Sequence, residues 1–225
     1  RLLSQVISFY GEPSKKNTTI VTDEKKITKI DTKKYKNIIK EKDLEDLIKD
    51  LNTKSIISVD TETSSLDPQQ AELIGISICH APNISFYIPV KHKNIDSLKT
   101  DFVINKLKPI LEDPSIKKIG QNIKYDYIIF KRYGIELKSI EDTMLLSYTL
   151  DAGNNRHNMD TLSEIHLSHK TISYKELVGS GKKQLNFSEV ELDKATEYSA
   201  EDADVTLRLY KVLSDRVEKE KLNKI

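Results

Sequence analysis

The sequence predicts an α/β fold, a mixed β-sheet flanked by helices, with a helical C-terminal half. Three observations carry that prediction. Apolar, β-branched runs succeed one another through short turns in "SIISVDTE", "AELIGISICHA" and "ISFYIPV". Strand-like and helix-like patterns then alternate up to about residue 142. Beyond that point apolar residues recur at helical spacing almost to the end.

In order, residues 1 to about 30 hold "GEPSKKNTT" and scattered polar residues, and read as a linker or weakly ordered lead-in. A short strand is expected at 35–39. The helix "EKDLEDLIKDL" follows, with Leu44, Leu47, Ile48 and Leu51 on one face. After the three consecutive strands, "DFVINKLKPILED" reads as a helix ending near Pro114, and "IKKIG" as a brief strand. "NIKYDYIIFKRYG" is amphipathic with a glycine stop, and "IELKSIED" supplies a last strand. A long helix is expected from about Glu197 to Lys221. No internal repeat is present.

The 225 residues suffice for one substantial core with an appendage. A hydrophobic share of 37% and a charged share of 32% describe a polar globular protein. No apolar run reaches membrane-spanning length and no signal-peptide pattern opens the chain, so a membrane partner is not expected. The chain starts at Arg1 and is expected to be a piece of a longer protein. One cysteine, Cys79, excludes an internal disulfide and a cysteine-based zinc site; within "LIGISIC" it reads as a buried, inert thiol in a reducing cytoplasm. The net charge of +1 gives no global support for a nucleic-acid partner. Residues 13–42, with ten lysines against four acids, read as a solvated linker, or else as an auxiliary phosphate-contacting arm.

Chemistry concentrates in three groups of carboxylates. Asp60 and Glu62 stand two apart at the end of a buried strand, so both emerge on one face, where paired hard oxygens can hold magnesium. Asp126 lies in the first turns of the helix in "GQNIKYDYIIF", a place where the helix dipole alone could account for an acid. Gln121, Asn122, Lys124 and Tyr125 around it add amides, a cation and an aromatic. Tyr198 and Asp202, in "YSAEDADVTLRLY", are four apart and share a helix face; Glu201 and Asp204 turn elsewhere and are expected in solvent. Each group alone is a weak signal. Four acids meeting at one end of the sheet would repel one another unless cations neutralised them, and so imply divalent metal.

"SVDTETSSLD", "GQNIKYD" and "YSAEDADVT" resemble the three motifs of the proofreading exonuclease domain of bacterial, family A, DNA polymerase I. That domain sits in the superfamily of 3′–5′ exonucleases named for an Asp-Glu-Asp-Asp quartet. The similarity runs from about residue 35 to 222 and includes "RYGIEL" and "HNMDTLSE". Tyr198 places the chain in the tyrosine branch. The resemblance implies a ribonuclease H-like fold, a lead-in over 1–34 from an upstream 5′ nuclease domain, an exonuclease domain over 35–222, and a polymerase domain outside this fragment. It implies two Mg²⁺ or Mn²⁺ ions, the first held by Asp60, Glu62 and Asp202, the second shared by Asp60 and supported by Asp126. Tyr198 would orient the attacking water. Leu66 would wedge against the terminal bases, and Gln121, Asn122, Lys124 and Tyr125 would line the strand path. Arg156 would contact phosphate, and Tyr174 would stack a base. The expected partner is the 3′ end of single-stranded DNA, in a monomer working in the bacterial cytoplasm, on the nucleoid.

Two alternatives remain at this level: an inactive platform for a polymerase, and a free-standing RNA-trimming exonuclease of the same superfamily. All four motif acids and the tyrosine are present, which favours an active enzyme. "GSGKK" lacks the spacing of a phosphate-binding P-loop and reads as a flexible turn. His166 and His169 in "HLSH" have no acids at ligand spacing. His157, beside Arg156, is placed near substrate.

Overall fold

The computed structural model describes residues 28–93 and 95–222. The lead-in and the lysine-rich stretch therefore lie outside the described residues as far as residue 27. Six strands form one sheet: β1 (Lys36–Asn37), β2 (Ile56–Thr63), β3 (Leu73–Ala81), β4 (Ile84–Pro89), β5 (Lys117–Gly120) and β6 (Ile140–Asp142). Their order is β1-β4-β3-β2-β5-β6. β2 pairs antiparallel with β3 and parallel with β5, so the sheet is mixed and β2 is internal. Seven α-helices occur among the described residues: α1 (Glu41–Leu51), α2 (Thr100–Leu111), α3 (Lys124–Arg132), α4 (Thr143–Asp151), α5 (Met159–Leu167), α6 (Tyr174–Val178) and α7 (Leu192–Lys219). None is long and apolar enough to cross a membrane.

The period-2 alternation of β2 decides which layer each side chain meets. Ile57 and Val59, with Ile76 and Ile78 of β3, join a core with Leu44, Leu47 and Leu51 of α1, Leu107 and Leu111 of α2, and Ile129 and Phe130 of α3. The other face carries small residues. Ser58 donates its hydroxyl to the carbonyl of Ala203 at 2.6 Å, and Cys79 packs with Ala203 and Leu207, so α7 lies close against β2 and β3. Burial pushes the Cys79 thiol pKa upward and keeps it unreactive. This close seating of α7 brings its carboxylates to the end of β2.

α7 begins five residues earlier than the apolar periodicity implied. Its first turns are polar, and they are anchored by Ala195, which is buried in one apolar cluster with Ile74 and Phe187. The expectation that Glu201 and Asp204 face solvent is wrong. Both are buried, Glu201 at 1% exposure and Asp204 at 0%. Asp204 faces Tyr35 and the β3–β4 turn, and Glu201 faces the segment 169–172, so an angular offset from Asp202 leads into another part of the chain instead of into water. Asp204 pairs with Arg208 at 2.8 Å and accepts the Tyr35 hydroxyl at 2.8 Å and the Asn83 N–H at 3.0 Å.

Candidate active site

β2 runs past the end of its parallel partner: pairing with β5 stops at Ser58 and Ile119. Beyond that point no strand among the described residues flanks this edge of β2, and α3 lies against it. Thr61 donates its N–H (2.9 Å) and hydroxyl (2.5 Å) to Asp126 Oδ1, which fixes an acid from α3 against the strand that carries Asp60 and Glu62. On the opposite face α7 supplies Asp202. One oxygen each from Asp60, Glu62 and Asp202 lies within 4.8 Å of the others. Ser199, one turn from Asp202, donates to Glu62 Oε1 at 2.7 Å. Asp126 stands beside this trio and is not one of its mutually close oxygens.

The electrostatics follow from burial. Desolvation pushes the Asp60 carboxyl up to about 6. Glu62, Asp126 and Asp202 are raised well above the ordinary range, by desolvation first and then by the charge of Asp60 beside them. Burial, the negative charge of Asp202 and Glu62, and a hydrogen bond to Asp202 all raise the Tyr198 phenol, so it stays protonated at neutral pH. The donors that meet here among the described residues are carboxylate oxygens, a set that suits Mg²⁺ or Mn²⁺. The trio can thus hold a divalent ion.

The residues expected to contact substrate fall into two groups. Near the carboxylates, the Tyr174 ring stands 6.1 Å from that of Tyr198 and stacks on Phe187 at 6.5 Å, and Tyr174 is 43% exposed. Leu66 is 96% exposed on the loop after β2. The Tyr125 hydroxyl lies 2.5 Å from Thr63 Oγ1 and donates to the Ser65 carbonyl at 2.5 Å. Arg132 holds the far side of the loop through the carbonyls of Pro68 and Ala71. Tyr125 therefore sets the loop that presents Leu66.

The second group lies beyond the end of β5. Gln121 bonds Thr143 and the His157 carbonyl, so its amide is engaged within the protein. Asn122 is exposed at φ 57°, and its N–H is held by Asp142. Lys124 and Arg156 are exposed. His157 is buried, bonded to Ser147 at 2.7 Å with its ring tilted 33° against that of Tyr148, in the same open depression that Arg156 lines. His169 pairs with Glu201 at 2.8 Å. His166 is not part of that pair.

Three side chains that hold the candidate site residues escaped sequence reasoning, Thr61, Ser199 and Asp142, and a fourth side chain beside the site, Glu201, was expected in solvent. Asp142 alone had a local signal, since it caps α4 through the Met144 N–H while its carboxylate also accepts from Asn122 and Ile123.

Residues 35–218 match the sequence profile of the 3′–5′ exonuclease family. The chain belongs to that family. It is 45% identical over 190 residues to the DNA polymerase I of Rhizobium leguminosarum, covering 76% of this chain and 19% of that protein. With the DNA polymerase I of Borreliella burgdorferi it shares 39% identity over 202 residues, 88% of this chain and 22% of that one. The chain thus spans about a fifth of the length of these curated relatives. Among solved structures, the Aedes aegypti Nibbler EXO domain superposes with a TM-score of 0.66 at 15% identity, over 87% of this chain and 97% of that one. Brucella melitensis NrnC with bound Mg²⁺ superposes at 0.61 with 20% identity over 84% of each chain. These two likenesses establish the ribonuclease H-like α/β fold. As a member of this family the chain is a 3′–5′ exonuclease, a phosphodiester hydrolase.

Proposed function

We propose that this chain is the proofreading domain of a DNA polymerase I and removes 3′-terminal nucleotides from single-stranded or frayed DNA. The observation that carries the reading is the meeting of Asp60, Glu62 and Asp202 within 4.8 Å, with Asp126 and Tyr198 at their edges. Asp60, Glu62 and Asp202 would hold one divalent ion, and Asp60 with Asp126 a second. Bound there, two such ions would lower the pKa of a water and neutralise charge at the departing 3′ oxygen. The chain's own part is positioning. Ser199 fixes Glu62, Thr61 fixes Asp126, and the protonated Tyr198 hydroxyl orients the attacking water.

Tyr174 stacks the terminal base, and Leu66 wedges beside it. The exposed Asn122, Lys124 and Arg156 follow the strand, and Gln121 and Tyr125, whose polar atoms are engaged within the protein, shape its path. Residues 35–222 form the exonuclease domain, preceded by a lead-in. The polymerase and 5′ nuclease domains of the same protein are its partners in replication and repair, in the bacterial cytoplasm.

A 5′-labelled single-stranded DNA incubated with the protein and Mg²⁺ or Mn²⁺ is expected to shorten from its 3′ end. Chelator and Asp60→Ala should both stop it. Folded protein that binds DNA without shortening it overturns the proposal, and a strong preference for RNA in the same assay favours an RNA-trimming enzyme.

A further inference from the structure

We propose that Glu201 is a positioning residue for base recognition, tying the segment that carries Tyr174 to the helix that carries Asp202. The inference rests on the reading of Tyr174 as a base-stacking platform. Glu201 follows Ala200 and precedes Asp202 on α7, and both of its carboxylate oxygens are committed to one short segment. Oε1 lies 2.8 Å from Nε2 of His169, and Oε2 accepts the Ile172 N–H at 2.6 Å.

The same segment is held from its other side. The His169 carbonyl accepts the Ser163 hydroxyl at 2.9 Å, and the Thr171 hydroxyl donates to Asp160 at 2.7 Å. The chain then enters α6 through a capping box in which Ser173 and Glu176 satisfy each other's backbone N–H groups. Tyr174 is the first residue of α6, two positions after the Ile172 amide that Glu201 holds.

A helix is rigid over one turn, so Tyr198, Glu201 and Asp202 form a fixed frame. Through Glu201 that frame extends to the ring of Tyr174. The aromatic ring that takes the base and the carboxylates that would hold the divalent ions thereby keep a constant separation.

The test compares kcat and KM of the 225-residue chain on two single-stranded DNA oligonucleotides, one ending in an ordinary 3′ nucleotide and one in an abasic nucleotide. The variants are Tyr174→Ala, Glu201→Ala, Glu201→Gln and the Tyr174→Ala/Glu201→Ala double. Tyr174→Ala is expected to cut the preference for the base-bearing end roughly tenfold, through KM. Glu201→Ala should cut it nearly as much, and the double variant no further. Glu201→Gln, which can accept from Ile172 and donate to His169, should regain most of the preference.

Loss of fold alone would lower turnover of both ends alike. A Glu201→Ala protein that keeps the wild-type preference, or a double variant that loses it multiplicatively, overturns the inference while leaving base stacking by Tyr174 intact. A Tyr174→Ala protein that keeps the preference overturns both readings. If Glu201→Ala does not fold, His169→Ala takes its place with the same outcomes.

Discussion

Thr61 gives its backbone N–H and its hydroxyl to a single oxygen of Asp126, at 2.9 and 2.5 Å. The strand residue between the two acids of β2 thus orients the acid that arrives from α3. Thr61→Val keeps the shape and the backbone bond but leaves the buried carboxylate one donor short, at about 1–3 kcal/mol. Its thermal midpoint is expected to fall by a few degrees, and kcat on single-stranded DNA by roughly 10–100-fold, because a displaced Asp126 no longer faces the site. Thr61→Ser restores the donor and should recover most of both. A Val variant with wild-type kcat would show that Asp126 needs no such anchor.

The raised carboxyl groups make stability depend on pH in a defined direction. Asp60 is pushed up to about 6, and Glu62, Asp126 and Asp202 are also raised, against unfolded values near 4. The folded state therefore binds these protons more tightly. Their contribution to stability is full below about pH 4 and is lost as pH rises through the folded values. In chelator, the contribution of this cluster lowers the thermal midpoint as pH rises from 5 to 7.5. Divalent metal opposes that loss, since it binds the ionised acids. At a hundred times its Kd an ion stabilises by about 2.7 kcal/mol. For a domain of this size that moves the midpoint by roughly 5–10 °C. The metal-induced rise should be larger at pH 7.5 than at pH 5, which calorimetry with EDTA and with Mn²⁺ would read directly.

Asp60→Asn separates the two roles of the cluster. Removing the acid whose charge raises its neighbours relieves repulsion, so the chelated variant should be at least as stable as wild type at pH 7.5. The same change removes an ionic ligand. The Mn²⁺-induced rise in midpoint should shrink, and exonuclease turnover should drop by roughly three orders of magnitude. Equal loss of stability with and without metal would mean that Asp60 is a structural acid.

The strands and the three acid groups were legible because they obey short periods. Period 2 put Asp60 and Glu62 on one face of β2, and period 3.6 put Tyr198 and Asp202 on one face of α7. What could not be read was set by contacts between residues far apart in the chain. Thr61 and Ser199 look like ordinary small polar residues until α3 and α7 dock, and Ser199 is 137 positions from the Glu62 it holds. Glu201 and Asp204 misled for the same reason. Periodicity gives an angle around a helix, and only the tertiary packing says whether that angle faces water or another segment.

Asp204 and Arg208 supply the sharpest stability prediction. The pair is buried, and it joins three separate parts of the chain. Asp204 accepts from Tyr35 and from Asn83, while Arg208 donates to Asp204, to the Asn83 side chain at 3.0 Å and to the Thr28 carbonyl. Arg208→Met removes the cation but leaves Asp204 enclosed, and breaking a buried pair from one side costs about 3–5 kcal/mol. The midpoint should fall by roughly 6–20 °C. Tyr35→Phe deletes a single hydroxyl donor to the same carboxylate and should cost about 1.5–3 kcal/mol, as a hydrogen bond to a charged group does. The two losses should not add in Arg208→Met/Tyr35→Phe, since both act on one carboxylate. Urea unfolding of the four proteins measures this. Strict additivity would mean that Tyr35 and Arg208 stabilise the segment independently, and that Asp204 does not link them.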